Sequence, residues 1–264
     1  MTRQPQPPAS EARPHQSLIT DQFGPQAAAY VASAVHAAGA DLGQIAALAA
    51  SRRPVRALDL GCGGGHVSFA LAPHARQVVA YDLSADMLAA VLAEGGRRGL
   101  GNITAQQGSV DQLPFADASF DLVASRFSAH HWHDLDRALA EARRVLAPGG
   151  IAVFADVTSR GGPLVDTFLQ ALELLRDPSH VRNRSAEEWQ AALARAGFRP
   201  EAPSFARLRL DHPSWLARMN VPPVMAAAIT ALQQAAPAEV ARHLEIETGG
   251  HFTLDTLVVV ARPG

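Results

Sequence analysis

The sequence predicts an α/β fold in which helices cover both faces of a mostly parallel sheet. Three observations predict it. Short apolar, β-rich runs alternate with segments of helical period from residue 55 to residue 175. The first run opens directly into Gly61-Cys62-Gly63-Gly64-Gly65, where side chains would obstruct a ligand. The second run ends in an acid, Asp82, at the distance from that loop expected of a ribose-binding carboxylate.

Composition sets the outer bounds. The chain has 264 residues, 48% of them hydrophobic, so a large core needs no disulfide or metal staple. Its one cysteine, Cys62, excludes an intrachain disulfide and suits a reducing interior. A net charge of −2 argues against a general electrostatic grip on nucleic acid. No apolar run approaches the roughly 18 residues of a membrane span. Residues 1–16 are rich in proline and glutamine and lack the apolar centre of a secretory signal. They are expected to be a disordered tail on a cytoplasmic chain, with one domain over residues 17–264. The sequence carries no signal for oligomeric state.

The elements follow in order. Residues 25–50 are alanine-rich and helical in period, broken at Ala38-Gly39-Ala40, and form part of an N-terminal cover over residues 17–50. Residues 55–60 read as a buried strand and 66–71 as the helix after the glycine loop. Residues 77–83 are the second strand. A helix over 85–98 starts at the N-cap Ser84, and 102–107 is a weaker third strand. The fourth strand is 120–125. The helix over 135–146 stops at Ala147-Pro148-Gly149-Gly150, and the fifth strand is 151–157. Residues 54–160 thus make a ligand-binding core. Beyond a helix over 163–175, Ser185 caps another over 186–196, which Gly197 closes. Strands over 205–210 and 252–261 enclose a proline-punctuated helical stretch, 212–248. A connection of that length usually has a job, here read as a lid.

The glycine loop admits more than one ligand. A dinucleotide fingerprint, G-x-G-x-x-G, has a glycine where this chain has His66. Asp59, two residues before the first glycine, is unwelcome beside a pyrophosphate. It suits a ligand with a positive amino group or sulfonium centre, although an acid there can also cap local backbone. Asp82 fits any adenosine ligand.

Further segments carry a resemblance. Asp59-Leu60-Gly61-Cys62-Gly63 is followed by Tyr81-Asp82-Leu83-Ser84 with Met87-Leu88, then Gly108-Ser109-Val110-Asp111-Gln112-Leu113-Pro114-Phe115. Ser119-Phe120-Asp121-Leu122-Val123 and Arg143-Arg144-Val145-Leu146-Ala147-Pro148-Gly149-Gly150 complete the order. Together they resemble the class I S-adenosylmethionine-dependent methyltransferases, in the UbiE-like, type 11 branch. Ser125-Arg126-Phe127-Ser128-Ala129-His130-His131-Trp132 and residues 175–183 are similar to its YafE-type subgroup. The resemblance implies a Rossmann-like sheet of seven strands with the last one antiparallel.

It also implies roles. Gly61, Gly63 and the backbone of Cys62 would line the methionine moiety of S-adenosylmethionine, whose positive groups Asp59 suits. Asp82 would take the ribose hydroxyls, with Leu83 and Met87 near the adenine. Ser109 and Val110 would border the adenine ring, and Asp111 would accept from its amino group if turned inward. Arg126 and Phe127 would flank the methionine or methyl end, and Tyr30 would fold over the cofactor.

Methyl transfer is an in-line displacement, so positioning supplies most of the acceleration. A general base matters only where the acceptor must lose a proton. His130 and His131, just past the fourth strand, are the candidates. His180, Arg182 and Asn183 form a second polar group suited to an anionic or carbonyl-bearing small-molecule acceptor, with Trp132 as an aromatic wall. Adjacent histidines in a short loop rarely converge on an ion, so no metal is expected. Two other readings stand beside methyl transfer: an NAD-dependent oxidoreductase, and a non-catalytic S-adenosylmethionine sensor or scaffold.

Overall fold

The structure, a computed structural model, describes residues 14–31 and 37–264. Its parallel strands are β1 (Arg56–Leu60), β2 (Gln77–Asp82), β3 (Ile103–Gln107), β4 (Phe120–Arg126) and β5 (Leu146–Thr158). They lie in the order β3-β2-β1-β4-β5. The order reverses between β1 and β4, which pair through Ala57–Leu122 and Asp59–Ala124. At such a switch point the carboxyl ends of the two strands diverge and leave a crevice.

Strand alternation divides the core. Leu58 and Leu60 face one layer, with α6 (Leu135–Val145) and α8 (Ala186–Arg195) packed over it through Leu139, Ala142, Trp189 and Leu193. Ala57 faces the other layer, against α3 (Ala40–Arg52), α4 (His66–Leu71) and α5 (Ala85–Arg97) through Ile45, Leu71 and Val91. The expected caps form. Ser84 accepts from Met87 N at the start of α5, and Ser185 with Glu188 makes a capping box on α8.

The sheet has eight strands rather than seven. β8 (Phe252–Pro263) runs antiparallel to β5, as the resemblance implied, and its outer edge pairs with two short strands. β6 (Phe198–Pro200) meets Pro263 to Ala261, and β7 (Ser204–Leu210) meets Val258 to Phe252. The expected strand over 205–210 forms as β7, and β6 is an additional short strand on the same edge, parted from it by residues 201–203, among them Pro203, which has no N–H to donate. A three-residue strand containing Arg199 and Pro200 leaves no periodic trace in sequence. β5 also begins earlier than expected, at Leu146, and its pairing with β4 is irregular between Phe120 and Leu122.

The cover is helical. α1 (His15–Phe23) and α2 (Ala27–Val31) precede α3, which starts after Gly39 at φ +134°. α1 begins at His15, just inside the span expected to be a tail. Residues 1–13, and Val35 of the expected helix, lie outside the described residues. Between β7 and β8 stand α9 (His212–Ala217), α10 (Pro223–Gln234) and α11 (Ala238–His243), which with α7 (Gly162–Arg176) enclose a third apolar cluster around Trp215 and Ile229. Among the described residues no helix is long and apolar enough to cross a membrane.

Candidate functional site

The glycine loop turns because of its hydrogen bonds. Gly61 N and Cys62 N both donate to Tyr81 O, at 2.8 and 3.0 Å. Gly61 has φ +70°, and a Cβ there would meet Ser128 Oγ at 1.9 Å. Gly63 has φ +46°, yet a Cβ there would meet nothing within 4 Å. Its open side faces a cleft of about 1050 Å³, counted to its open mouth. Such a cradle leaves room for a ligand to come close to backbone.

Asp82 forms the far wall. Its Oδ2 accepts from Gly63 N and its Oδ1 from Ser84 N, both at 2.9 Å. Burial pushes its pKa up, against the three backbone N–H groups that hold the ionised form. Leu83, Met87, Ser109 and Val110 line the same cleft, as do Cys62, Arg126, Phe127 and Trp132. Asp111 joins them: Ser109 Oγ donates to its Oδ2 at 3.1 Å, and its Oδ1 is buried with no partner. An unmet acceptor in a cleft wall costs free energy until a donor arrives.

Asp59 lies elsewhere. It is 1% exposed and does not line the cleft; its Oδ2 accepts from Ser68 N at 2.8 Å and Ser68 Oγ at 2.7 Å. The carboxylate is directed at the first turn of α4, so direct ligand binding by Asp59 is corrected to support of the loop from beneath. Its Oδ1 has no hydrogen-bond partner. Burial raises the carboxyl to about 7.

His66 explains its departure from the dinucleotide fingerprint. Burial lowers its pKa, so the ring is neutral, and Nε2 donates to Tyr30 O at 2.9 Å. Gly64 lets the same carbonyl approach, since a Cβ there would stand 2.8 Å from it. The loop therefore docks α2, and Tyr30 reaches the cleft. Arg126 fixes the neighbouring chain by donating to Ala38 O at 3.1 Å and pairing with Asp41. Sequence reasoning missed the contribution of α1: His15, Gln16, Ile19 and Phe23 all line the cleft. Gln16 Nε2 donates to Ser109 Oγ at 3.0 Å, and only that contact marks it, because its neighbours give no period.

A second cavity, of about 630 Å³, adjoins the cleft. Phe23, Tyr30, Phe127 and His131 are walls of both. Phe127 stands at φ +50°, a rare conformation for a bulky residue, which turns its ring between the two spaces. His130 lines the second cavity, and its Nδ1 bonds Asp156 Oδ1 at 2.6 Å. Burial opposes the imidazolium, but the Asp156 charge and hydrogen bond outweigh it, so the His130 pKa rises. Asp156, likewise opposed by burial, is held low by His130. His131, 4.2 Å away ring to ring, is driven down to about 4 by burial and the neighbouring charge. Two adjacent imidazoles are thereby split into one that titrates and one that stays neutral.

The other expected acceptor residues separate. His180 is 8% exposed, lines neither cavity, and bonds Gln170 Oε1 at 2.8 Å; burial lowers it to about 3. Arg182 pairs with Asp166 and Glu188, both at 3.1 Å, and also lines neither. Both are corrected to supports of the 177–185 connection. Asn183 is 1% exposed and does line the second cavity, with Nδ2 unpartnered. Arg218, from the turn after α9, was not expected there.

A family model described as a methyltransferase domain matches residues 58–154. The chain is 44% identical to the uncharacterized protein YafE of Escherichia coli over 201 residues, 76% of this chain and 97% of YafE. It is 34% identical over 200 residues to the uncharacterized methyltransferase YcgJ of Bacillus subtilis, 76% of this chain and 79% of that protein. Its fold matches the crystal structure of a putative methyltransferase from Bacillus halodurans with a TM-score of 0.81 at 31% identity, covering 86% of this chain and all of the other.

Proposed function

This chain belongs to the class I methyltransferases, in the type 11 branch with YafE and YcgJ, and from that membership we propose that it moves the methyl group of S-adenosylmethionine to a small organic acceptor. The observation that carries the proposal is the pairing of two spaces. A glycine cradle closed by Asp82 shares the wall of Phe127 with a cavity that a titrating histidine lines.

The residues present fit the cofactor. The open side of Gly63 leaves room for backbone contact, Asp82 offers its remaining lone pairs to ribose hydroxyls, and Asp111 Oδ1 awaits a donor such as the adenine amino group. Leu83, Met87 and Val110 supply the apolar wall for a base. Bound there, the cofactor supplies an electrophilic methyl group on a sulfonium. The chain's own work is positional: Tyr30, Phe23 and Phe127 exclude water and set the line of approach. His130 is the base. Asp156 holds its Nδ1, leaving Nε2 to take the acceptor proton into the second cavity. His131 and Trp132 serve as walls.

The test is incubation of the protein with methyl-labelled S-adenosylmethionine and a metabolite extract, followed by chromatography of small products. A labelled product is expected, and His130→Ala lowers its rate while cofactor affinity stays. Turnover should rise with pH, because the base acts unprotonated. Its inflection lies above the ordinary histidine value in the native protein and moves down in Asp156→Asn. Cofactor binding with no labelled product favours the sensor reading, and an inflection untouched by either substitution removes His130 from the chemistry.

A further inference from the structure

We propose that the acceptor is an apolar molecule bearing one carboxylate, which Arg218 binds in the second cavity while Asn183 Nδ2 donates to an oxygen of the same molecule. The inference rests on the methyl-transfer reading for calling this molecule the acceptor, but its binding chemistry comes from the cavity itself.

The cavity's polar groups divide by whether they have partners. His130 is held by Asp156 behind the wall, and Asp177 accepts from Ser179 N and Ser179 Oγ at 2.8 and 2.6 Å. Glu173 lies 3.5 Å from Arg176, whose Nε in turn donates to Trp215 O at 3.1 Å. Among the described residues of this wall, two donors are left over. Asn183 Nδ2 is buried without a partner, and so is Arg218 Nε. Burial and the neighbouring Arg176 charge lower the Arg218 pKa, against Tyr30 and Glu173, which raise it. One buried N–H of a guanidinium and one of an amide, both unmet, select a ligand that accepts hydrogen bonds, and the guanidinium charge favours a negative one.

The rest of the lining narrows the class. Two arginines, Arg176 and Arg218, stand against two acids, Glu173 and Asp177. Among charges so evenly matched, one further negative charge is accommodated more readily than the two of a dianionic phosphate. A cationic amine has no acceptor to offer Arg218 Nε or Asn183 Nδ2. Val157, Leu208, Leu210, Leu254 and Trp215 form the remaining wall, so the body of the ligand is apolar.

Binding of 4-phenylbutyrate, with 4-phenylbutanol, 4-phenylbutylamine and phenylpropyl phosphate as matched probes, tests this by calorimetry with and without S-adenosylhomocysteine. The carboxylate is expected to bind at least about tenfold more tightly than each other probe. Arg218→Gln should remove that preference, and Arg218→Lys should keep part of it. A native circular-dichroism spectrum and melting curve show that each variant is folded. Equal binding of acid and alcohol, preference for the phosphate or the amine, or a preference that survives Arg218→Gln in a folded protein overturns the proposal. Failure of S-adenosylhomocysteine to bind sinks the methyl-transfer reading instead, while the carboxylate preference is still read without it.

Discussion

Asp59 sits buried beneath the glycine loop, where burial pushes its carboxyl up to about 7 against two hydrogen bonds from Ser68. A carboxyl whose native pKa exceeds its unfolded value favours folding through its protonated form. That contribution is complete below the unfolded value and is lost as pH rises through about 7. Urea unfolding between pH 5 and pH 8 should therefore show the native protein losing stability with rising pH, and Asp59→Asn losing less. Parallel curves would contradict the buried, raised carboxyl. The spacing to Gly61 made Asp59 look like a ligand contact. Strand alternation says otherwise, since Asp59 shares its face with Ala57 and so points at α4. Asp82, by contrast, was legible because it ends a strand, where a side chain meets the crevice. The choice between His130 and His131 was not legible. It depends on Asp156, on β5, which only the parallel pairing of Arg126 with Ala155 brings beside them.

At the scale of elements, the cover and the insertion form one assembly. Tyr30 OH donates to Met219 Sδ at 2.9 Å, and Gln22 Nε2 donates to Met219 O at 2.8 Å. α1 and α2 thus meet the chain just past α9 above the junction of the two cavities. Hydrogen exchange should show S-adenosylhomocysteine slowing amides of α1, α2 and α9 together, with α8 on the far layer unchanged. Protection confined to residues 61–66 would separate the cover from the cofactor. The helical insertion was legible from its length and its prolines, Pro213, Pro222, Pro223 and Pro237. What it covers was not, because Arg218 and Met219 act through contacts with α1, α2 and α7 that no local pattern encodes. β6 was hidden for a similar reason: its pairing comes from β8, at the far end of the chain.

Across the whole molecule, the switch between β1 and β4 places the cradle, and the return of β8 beside β5 closes the second cavity with Leu254. The parallel core was readable because each buried strand is a short apolar run and each helix has its own stop signal. The ligand was readable only in part. Glycines and Asp82 describe any adenosine, and His66, which departs from the dinucleotide pattern, serves the cover by holding Tyr30 O. Calorimetric titration with S-adenosylhomocysteine and, separately, NADH decides between the two adenosine ligands. The account predicts that S-adenosylhomocysteine binds and NADH does not, and that Asp82→Ala weakens the former by about 1.5–3 kcal/mol. Binding of NADH alone, or S-adenosylhomocysteine affinity unchanged in Asp82→Ala, would contradict it.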